Sequence, residues 1–404
     1  MRILILALNH APEPIGAAVY TTGLARELAS RGHHVEVVCA EPYYPAWRIF
    51  DGYANRWRTD VEDGVRIARC PLYVPAQPSG AKRVLHHLSF ALAALVPTLA
   101  RAIRTRPDAV WTVAPSLVAA PVAWAAARLT GAKAWLHVQD FEVGAAVATG
   151  LIPSTSLSAR LARTVERTIM RRFDALSTIS PAMVARAAGI VPRERITEFR
   201  NWADLDPAAP PPGDFRAEWG LGDRTVALYS GNLANKQGVE IIPEAARLLA
   251  HRDDIRFVVC GDGSARADFE RAAATLTNIL LKPLQDRADL PRLLATADLH
   301  LLPQRADAAD LVLPSKLTNM LASGRATVAT AAPGTGLHAE VAGCGLTTPP
   351  GDAPAFAAAI ERLADDPALR QTYAAEARRR AAARWDRRAI IDRFERDLRA
   401  LTNP

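Results

Sequence analysis

The chain has 404 residues, more than one hydrophobic core normally holds, so its length predicts two domains of about 200 residues each. Half of the residues are hydrophobic and 23% are charged, a balance that excludes an intrinsically disordered chain. The net charge of +7 favours anionic partners, but aromatic residues make up only 6% and no stretch interleaves them with arginines. We therefore expect no nucleic-acid partner.

Short apolar runs alternate with helical patterns through the first half of the chain. A helix is predicted over 18–31, with Tyr20, Leu24 and Leu28 on one face. The predicted strands are 2–8, 35–40, 109–113, 134–138 and 175–179. Continuous apolar strands separated by helices indicate a parallel sheet that is covered on both faces.

The cysteines and the N-terminus bear on the compartment. The four cysteines are scattered singly, without the close pairs of zinc sites or disulfide frameworks. The apolar residues 1–8 are too short for a signal peptide and run directly into a turn at 9–12. Both observations predict a cytoplasmic protein with reduced thiols.

The apolar segment 88–103 raises the question of a membrane. It is shorter than the roughly 20 residues that span a bilayer, and we expect Pro97 to interrupt it. Two interpretations stay open: a buried helix, or an interfacial helix that places 82–106 on an anionic membrane surface. The flanking basic residues are Lys82, Arg83, His86 and His87 before the segment, and Arg101, Arg104 and Arg106 after it.

A proline-rich stretch divides the chain. Residues 203–214 have no periodicity and are predicted to be a linker between domains 1–202 and 215–380. The second domain repeats the order strand, turn, helix, with helices predicted over 239–250 and 268–275. Its predicted strands are 225–229, 256–260, 279–282, 299–303, 327–330 and 346–348. The arginine- and alanine-rich tail 368–401 is predicted to be helical, with its arginines on a solvated face.

Two domains of this type bind ligands at the carboxyl ends of their strands, so the strand-to-helix turns are the candidate sites. Gly16 precedes the first helix, where its backbone can approach an anion, although a plain turn explains it almost equally well. His137, Gln139 and Asp140 cluster at the end of a later strand. They form either a site or a strand-end histidine followed by a helix cap.

The turn 229–238 is the strongest candidate for a phosphate site. It follows a strand and opens a helix, and Asn232, Lys236 and Gln237 offer donors beside flexible Gly231. A lysine next to a positive helix end gains energy only when an anion is bound, which favours phosphate. Residues 260–264, which include Gly263, form a second glycine-containing turn after a strand, where main chain can pass close to a ligand. An Asp-Gly turn is an alternative explanation.

A second cationic helix start follows in 310–324. Ser315 comes after Pro314, where it can cap a helix whose N–H groups remain available to phosphate, and Lys316 adds a cation. Asn319 lies four positions further on, on the same helix face as Ser315.

At these turns the sequence resembles the family 4 retaining glycosyltransferases over nearly its whole length. It is most similar to the colanic acid biosynthesis fucosyltransferase subgroup, on four stretches: PYYPAW at 42–47, HVQDFE at 137–142, RNWAD at 200–204 and LPSKLTNMLASG at 313–324. The resemblance implies the α/β GT-B fold, with two Rossmann-like parallel-sheet domains that face a central cleft. It also implies that a C-terminal helix, 381–404, returns to the N-terminal domain.

The resemblance assigns roles to residues. Lys236 matches the family's phosphate-binding lysine, but Asn232 stands at its arginine position. The two family glutamates fall on Asn319 and on Leu311, next to Asp310, so the sugar-side contact passes to Asp310 or to backbone N–H groups. The implied catalytic residues are Asp140, His137 and Lys236. The implied donor-binding residues are Gly16, Gly231, Asn232, Lys236, Gln237, Gly263, Leu284, Asp310, Pro314, Ser315, Lys316 and Asn319.

The function implied is metal-independent transfer of a hexose, with fucose as the candidate sugar, and with retention of configuration. The donor would be a GDP- or UDP-sugar, and the acceptor a lipid-linked oligosaccharide or growing exopolysaccharide at the inner face of the plasma membrane. The only Asp-x-Asp triplet, at 204–206, lies in the linker, where we expect a turn and no metal. Two alternatives stay open: a non-catalytic sugar-nucleotide-binding protein of polysaccharide assembly, and a sugar-nucleotide epimerase.

Overall fold

The computed structural model describes residues 1–14, 16–77, 79–143, 156–206, 208–209, 213–234, 237–306 and 314–403. These residues divide into two units. The first unit contains residues 1–201 and 388–404, and the second contains residues 202–387.

The first unit is built on an eight-stranded sheet in the order β3-β4-β2-β1-β5-β6-β7-β8. Its strands are β1 (Arg2–Ala7), β2 (His34–Ala40), β3 (Arg58–Glu62), β4 (Val65–Cys70), β5 (Ala109–Ala114), β6 (Lys133–Val138), β7 (Ala175–Thr178) and β8 (Ile196–Glu198). Its helices before the linker are α1 (Ala17–Ser30), α2 (Gly80–Thr105), α3 (Ala120–Thr130), α4 (Leu157–Arg171) and α5 (Pro181–Ala188). Every strand pair is parallel except β3 with β4.

The second unit has a six-stranded parallel sheet in the order β11-β10-β9-β12-β13-β14. Its strands are β9 (Thr225–Asn232), β10 (Ile255–Asp262), β11 (Ile279–Lys282), β12 (Leu299–Leu302), β13 (Ala326–Thr330) and β14 (Gly345–Thr348). Its helices are α6 (Ile241–Leu248), α7 (Arg266–Ala273), α8 (Leu290–Ala295), α9 (Lys316–Ala322), α10 (Gly336–Val341), α11 (Ala353–Asp365) and α12 (Pro367–Trp385). The central strands β9 and β10 are buried on both faces, as their unbroken apolar runs require.

The last helix, α13 (Arg387–Thr402), belongs to the first unit apart from its first residue. Phe394 packs with its ring centroid 5.0 Å from that of Trp135 and 4.8 Å from that of Phe199. Residues 381–387, which we expected to return with this helix, lie in the second unit because α12 continues unbroken to Trp385.

The hairpin β3–β4 was not predicted. β3 has no apolar run, because its residues are half-exposed or exposed at the edge of the sheet. The sequence did carry a hairpin signal at Asp63-Gly64, where both residues have positive φ, 50° and 78°. That pair of angles fits the two-residue turn that favours Asp-Gly.

Helix α2 corrects one expectation about the apolar segment and bears on the two interpretations that were left open. It runs continuously through Pro97, which does not interrupt it. It is also not buried all round: Phe90, Ala94 and Ala102 face the core, while Leu92 and Val96 are each 71% exposed. Among the described residues, α2 is the one helix long and apolar enough to cross a membrane by length and composition.

Candidate functional site

Two glycine turns meet at the carboxyl ends of β9 and β10. The strands pair in parallel up to Gly261 with Gly231 and Asp262 with Asn232. A Cβ atom on Gly261 would collide with the carbonyl oxygen of Gly231, and one on Gly263 would collide with Asn232 Oδ1. The close approach therefore requires glycine at both positions, and it leaves main chain at the edge of the sheet.

Lys316 lies directly against this pair of turns. Its Nζ is 4.1 Å from the centroid of the Tyr229 ring and 3.5 Å from the position that a Cβ would take on Gly231. The nitrogen is inaccessible to water and has no hydrogen-bond partner in the described part of the chain. Burial lowers the pKa of Lys316 from 10.5 to about 7.

This lysine is the most informative feature of the site. A buried ammonium without a counter-ion is costly, and the face of an aromatic ring offsets only part of that cost. An anion placed over Gly231 would supply the partner that the described residues do not provide. Tyr229 is held in place by its hydroxyl, which donates a 2.7 Å hydrogen bond to the carbonyl oxygen of Asn232.

Two of the predicted donor residues, Lys236 and Asp310, lie outside the described residues, as does Leu311. Their roles stay predictions. Gln237 is described, and its N–H donates a 2.8 Å hydrogen bond to the carbonyl oxygen of Ala234. The helix after this turn begins at Ile241, two residues later than predicted.

The start of α9 differs from the prediction. Ser315 occupies the cap position, but its side chain makes no capping hydrogen bond. The carbonyl oxygen of Pro314 instead accepts a 3.0 Å hydrogen bond from the N–H of Leu317. The expected serine cap is thus absent, and Lys316 is the residue of this helix start that points to a ligand.

Asn319 has a partner other than the one expected. Its Oδ1 accepts hydrogen bonds from the N–H of Asp204 at 2.7 Å and of Leu205 at 3.3 Å. Its Nδ2 donates to Asp204 Oδ2 at 3.3 Å. These bonds anchor the linker segment onto α9 and use both acceptor positions of Oδ1 and one of the two Nδ2 hydrogens. The donor-binding role of Asn319 stays a prediction.

A depression of about 280 Å³ lies nearby, at the carboxyl ends of β12 and β13. Gly238, Glu240, Gln304, Arg305 and Thr330 are among its lining residues. The Thr330 hydroxyl joins the two strand ends, accepting from the N–H of Gln304 and donating to its carbonyl oxygen, both at 2.7 Å. Sequence reasoning missed Gln304 and Arg305, although polar residues directly after an apolar strand were the available signal.

Leu284 follows β11 with its side chain 62% exposed. Such exposure leaves it available to contact a ligand, but no neighbouring group in the described residues marks it as a binding residue. Its place in the donor site stays a prediction from the resemblance.

In the first unit, Gly16 stands at the N-terminal cap of α1 with φ 69°, a conformation that favours glycine. The nearby Glu13 was not predicted. Its Oε1 accepts hydrogen bonds from the N–H groups of Tyr43 and Tyr44 at 2.9 and 2.8 Å, and burial raises its pKa despite these bonds. Glu13 therefore ties the Gly16 turn to the segment after β2.

His137 is a core residue of the first sheet and not a site residue. It is 1% exposed, stacks on Trp111 at 5.6 Å, and its Nδ1 lies 2.9 Å from Ser177 Oγ. Burial lowers its pKa to about 3, so the ring is neutral at pH 7. This correction follows from the position of β6 inside the sheet, where all residues from 134 to 138 are buried.

Asp140 lies just beyond the end of β6 and is half-buried at the carboxyl edge of the sheet. The neighbouring Glu142 has a structural role, because its Oε1 accepts hydrogen bonds from the N–H groups of Ser116 and Leu117 at 2.6 and 2.7 Å. Asp140 and Gln139 are therefore the polar residues of the 137–142 cluster that remain candidates for contact with substrate.

Two parallel-sheet units of this kind define the GT-B class of glycosyltransferase folds. Sucrose-phosphate synthase from Thermosynechococcus elongatus superposes with a TM-score of 0.77 at 18% identity, over 99% of each chain. HepE from Anabaena, in complex with UDP-glucose, gives 0.69 at 17% identity, over 99% of this chain and 100% of that one. At these identities the likeness shows the fold alone, and it confirms the predicted fold class.

The sequence comparisons reach further. The model of the glycosyl transferase 4-like domain matches residues 16–202, and that of glycosyl transferases group 1 matches residues 224–366. WcaI of Escherichia coli (strain K12), named as a colanic acid biosynthesis glycosyl transferase, is 40% identical over 82% of this chain and 83% of its own. The alpha-D-kanosaminyltransferase of Streptomyces kanamyceticus is 32% identical over 45% of this chain and 47% of its own. The chain belongs to glycosyltransferase family 4, as the resemblance predicted.

Proposed function

We propose that this glycosyltransferase moves a hexose from a nucleoside-diphosphate donor to a growing exopolysaccharide or lipid-linked oligosaccharide, with retention of configuration and without a metal. Fucose from a GDP-sugar is the specific transfer that we propose to test first. The name of the 40% identical relative, which refers to colanic acid biosynthesis, supports the choice of polysaccharide assembly.

The observation that carries the proposal is the buried ammonium of Lys316 beside Gly231, for which the described residues supply no hydrogen-bond partner. A departing nucleoside diphosphate develops negative charge, and a cation fixed in a water-poor site stabilises that charge strongly. Lys236, at the matching position of the family motif, would add a second cation. With the arginine position taken by Asn232, Lys316 would carry more of the phosphate charge than in typical members.

In the mechanism that we propose, the leaving phosphate departs on the same face that the acceptor attacks and takes the acceptor's proton. Asp140 would contact the substrate from the carboxyl edge of the first sheet. The missing family glutamates leave the sugar-side contact to Asp310 or to backbone N–H groups. A UDP-sugar is the alternative donor, supported by the UDP-glucose complex of the structural neighbour HepE.

We further propose that the enzyme acts in the cytoplasm, at the inner face of the plasma membrane, where a lipid-linked acceptor would be presented. The segment 82–106 would provide the attachment, because its exposed side chains are apolar and its ends are basic.

The test is donor binding followed by transfer. Thermal shift with GDP-fucose, GDP, UDP-glucose and UDP, in the presence of EDTA, identifies the nucleotide; a ligand at a hundred times its Kd adds about 2.7 kcal/mol to the stability of the fold. Release of the nucleotide is then measured with and without a membrane-lipid extract as acceptor. We expect Lys316→Met to weaken nucleotide binding at least about tenfold. Lys133→Met, at the amino end of β6 in the first unit, should leave nucleotide binding unchanged.

The other outcomes discriminate the alternatives. Conversion of the donor without acceptor would indicate an epimerase, and tight binding without any turnover would indicate a sugar-nucleotide-binding protein. If Lys316→Met binds nucleotide as well as the unmodified protein does, the site proposed here is wrong.

A further inference from the structure

The outer face of α2 is a continuous apolar strip. Seven aliphatic side chains on this face are between 37% and 71% exposed, and no charged residue lies between Arg83 and Arg101. The apolar strip consists of Val84, Leu85, Leu88, Leu92, Leu95, Val96 and Ile103. A patch of this size on a surface helix normally has a partner.

A neighbouring element widens the strip. Trp57 is 62% exposed, and its Nε1 donates a 3.1 Å hydrogen bond to the carbonyl oxygen of Ala93, in the middle of α2. On the adjoining β3, Val61 is 70% exposed, and Thr59 Oγ1 accepts a 2.9 Å hydrogen bond from Arg101. The indole is thus fixed with its N–H satisfied and its apolar body outward, the arrangement that tryptophan adopts at membrane interfaces.

The inner face of α2 excludes a spanning role within this fold. His86, Phe90, Ala94 and Thr98 are buried in the first unit, so the helix lies flat on its surface. The buried histidines add no charge, because burial lowers the pKa of both His86 and His87 to about 4.

The charges at the two ends of α2 are fewer than the sequence indicates. Arg101 and Arg104 form ion pairs with the buried carboxylate of Glu36, at 3.3 and 2.8 Å. Their charges are therefore already paired within the protein. Lys82 and Arg83 at one end and Arg106 at the other are exposed. The helix contains no acidic residue.

This distribution of charge distinguishes between two kinds of partner for the apolar strip, a second copy of the chain and a lipid surface. In a pair of identical α2 helices, parallel or antiparallel, cations about 35 Å apart on each helix would meet cations of the second copy. An anionic lipid surface complements both ends at once and accepts the apolar strip between them.

We propose that the apolar strip, with Trp57 and Val61, inserts into the headgroup boundary of an anionic lipid bilayer and holds the first unit on it. This deepens the membrane attachment in the proposed function and does not depend on the sugar chemistry. At the ends of α2, the cations that are exposed and outside the ion pairs of the described residues are Lys82, Arg83 and Arg106. Because these charges are few, insertion of apolar side chains supplies most of the binding, and the anionic lipid mainly strengthens and orients it.

The test is co-sedimentation of the full chain with phosphatidylcholine vesicles, with and without phosphatidylglycerol, in the absence of any nucleotide. We expect binding to both, tighter with phosphatidylglycerol. Leu92→Glu combined with Val96→Glu should lower the partition coefficient at least about tenfold on both vesicles. Lys82→Gln combined with Arg106→Gln should lower it about tenfold only where phosphatidylglycerol is present.

The matched control is Leu248→Glu, a 49% exposed leucine on α6 of the second unit, which should bind as the unmodified chain does. An unchanged Tm of all variants shows that they fold. The proposal is overturned if the unmodified chain binds neither vesicle, or if the Leu92 and Val96 changes leave binding intact. It is also overturned if those changes instead convert a dimer to a monomer in light scattering. Nucleotide binding is measured separately, so its failure would leave the vesicle result unaffected.

Discussion

At the scale of single residues, Lys316 stabilises the free protein less than an apolar side chain of the same length would. Its ammonium is out of water, lies against the Tyr229 ring and Gly231, and has no hydrogen-bond partner in the described part of the chain. Burial of this ammonium lowers the stability of the unliganded protein, so a substitution can raise stability while it removes function.

We therefore predict that Lys316→Met raises the free energy of unfolding by roughly 2 kcal/mol or more at pH 6. The sign follows from the pKa of Lys316, which is lowered to about 7 in the fold. Below pH 7 both the folded and unfolded states hold the proton, and the full cost of the buried charge is present. Between pH 7 and the ordinary lysine pKa only the unfolded state holds it, so wild-type stability rises with pH and the advantage of methionine shrinks.

Urea unfolding at pH 6, 8 and 9 measures this advantage, which should fall by about 1 kcal/mol per pH unit above pH 7. Lys133→Met serves as the control, with no comparable pH-dependent gain. A stability gain that is the same at every pH would contradict the prediction.

The sequence identifies a candidate residue more readily than it reveals the surroundings of that residue in the folded chain. Lys316 could be singled out because it follows Pro314-Ser315, but its burial depends on Tyr229 and Gly231, which lie more than eighty positions away in the chain. For the same reason the amide of Asn319 was assigned to a ligand, whereas the folded chain gives it to Asp204 and Leu205.

At the scale of elements, the two glycine turns hold the ends of β9 and β10 closer together than any side chain permits. Gly261→Ala should lower the free energy of unfolding by about 2 kcal/mol or more, because the new methyl group meets the carbonyl oxygen of Gly231. Gly336→Ala is the matched control: neither glycine has positive φ, and nothing lies within 4 Å of the Cβ position at 336.

Chemical denaturation of the two variants gives the comparison directly. If Gly261→Ala is as stable as Gly336→Ala, the strand ends are not as tightly apposed as described. Loss of nucleotide binding together with loss of stability is expected only for Gly261→Ala.

Elements were predictable where burial dictates the sequence. The strands β1, β2, β5, β6, β9 and β10 are mostly apolar because both faces of each are covered. The edge strand β3 lacks that constraint, so its sequence, Arg-Thr-Asp-Val-Glu, could not be distinguished from a loop by composition. The continuity of α2 through Pro97 also could not be inferred, since a proline inside a pattern usually ends a helix.

At the scale of the whole molecule, the stability of the first unit depends on residues that follow the second unit in the chain. Phe394 is 1% exposed and packs on Trp135 and Phe199. We predict that Phe394→Ala lowers the free energy of unfolding of the first unit by about 3 to 5 kcal/mol.

Hydrogen exchange can assign that loss to a unit. Protection should fall in β6 and stay unchanged in β9 and β10. Phe269→Ala, which removes a 3% exposed phenylalanine from the second unit, is the reciprocal control and should reduce protection in β10 but not in β6. An equal loss in both sheets after Phe394→Ala would refute the assignment.

The local sequence pattern did not indicate that α13 packs on the first unit. The tail was predicted to be helical from its composition, but its arginines gave no indication of which unit it joins. The resemblance to the family implied the return, and the apolar positions Ile391, Phe394 and Leu398, which are buried, are the residues that make it physically necessary.

The linker contact at the base of the second unit has a consequence for how the chain can be rearranged. The N–H of Ala203 donates a 3.0 Å hydrogen bond to the carbonyl oxygen of Trp385, and the Arg387 guanidinium lies 5.6 Å from the Trp202 ring centroid. The two ends of the second unit are therefore adjacent, and this unit is inserted between residues 201 and 388 of the first unit. A unit with adjacent ends can be excised, exchanged or circularly permuted with only a short connecting segment, so the second unit could be exchanged between relatives without changing the first sheet.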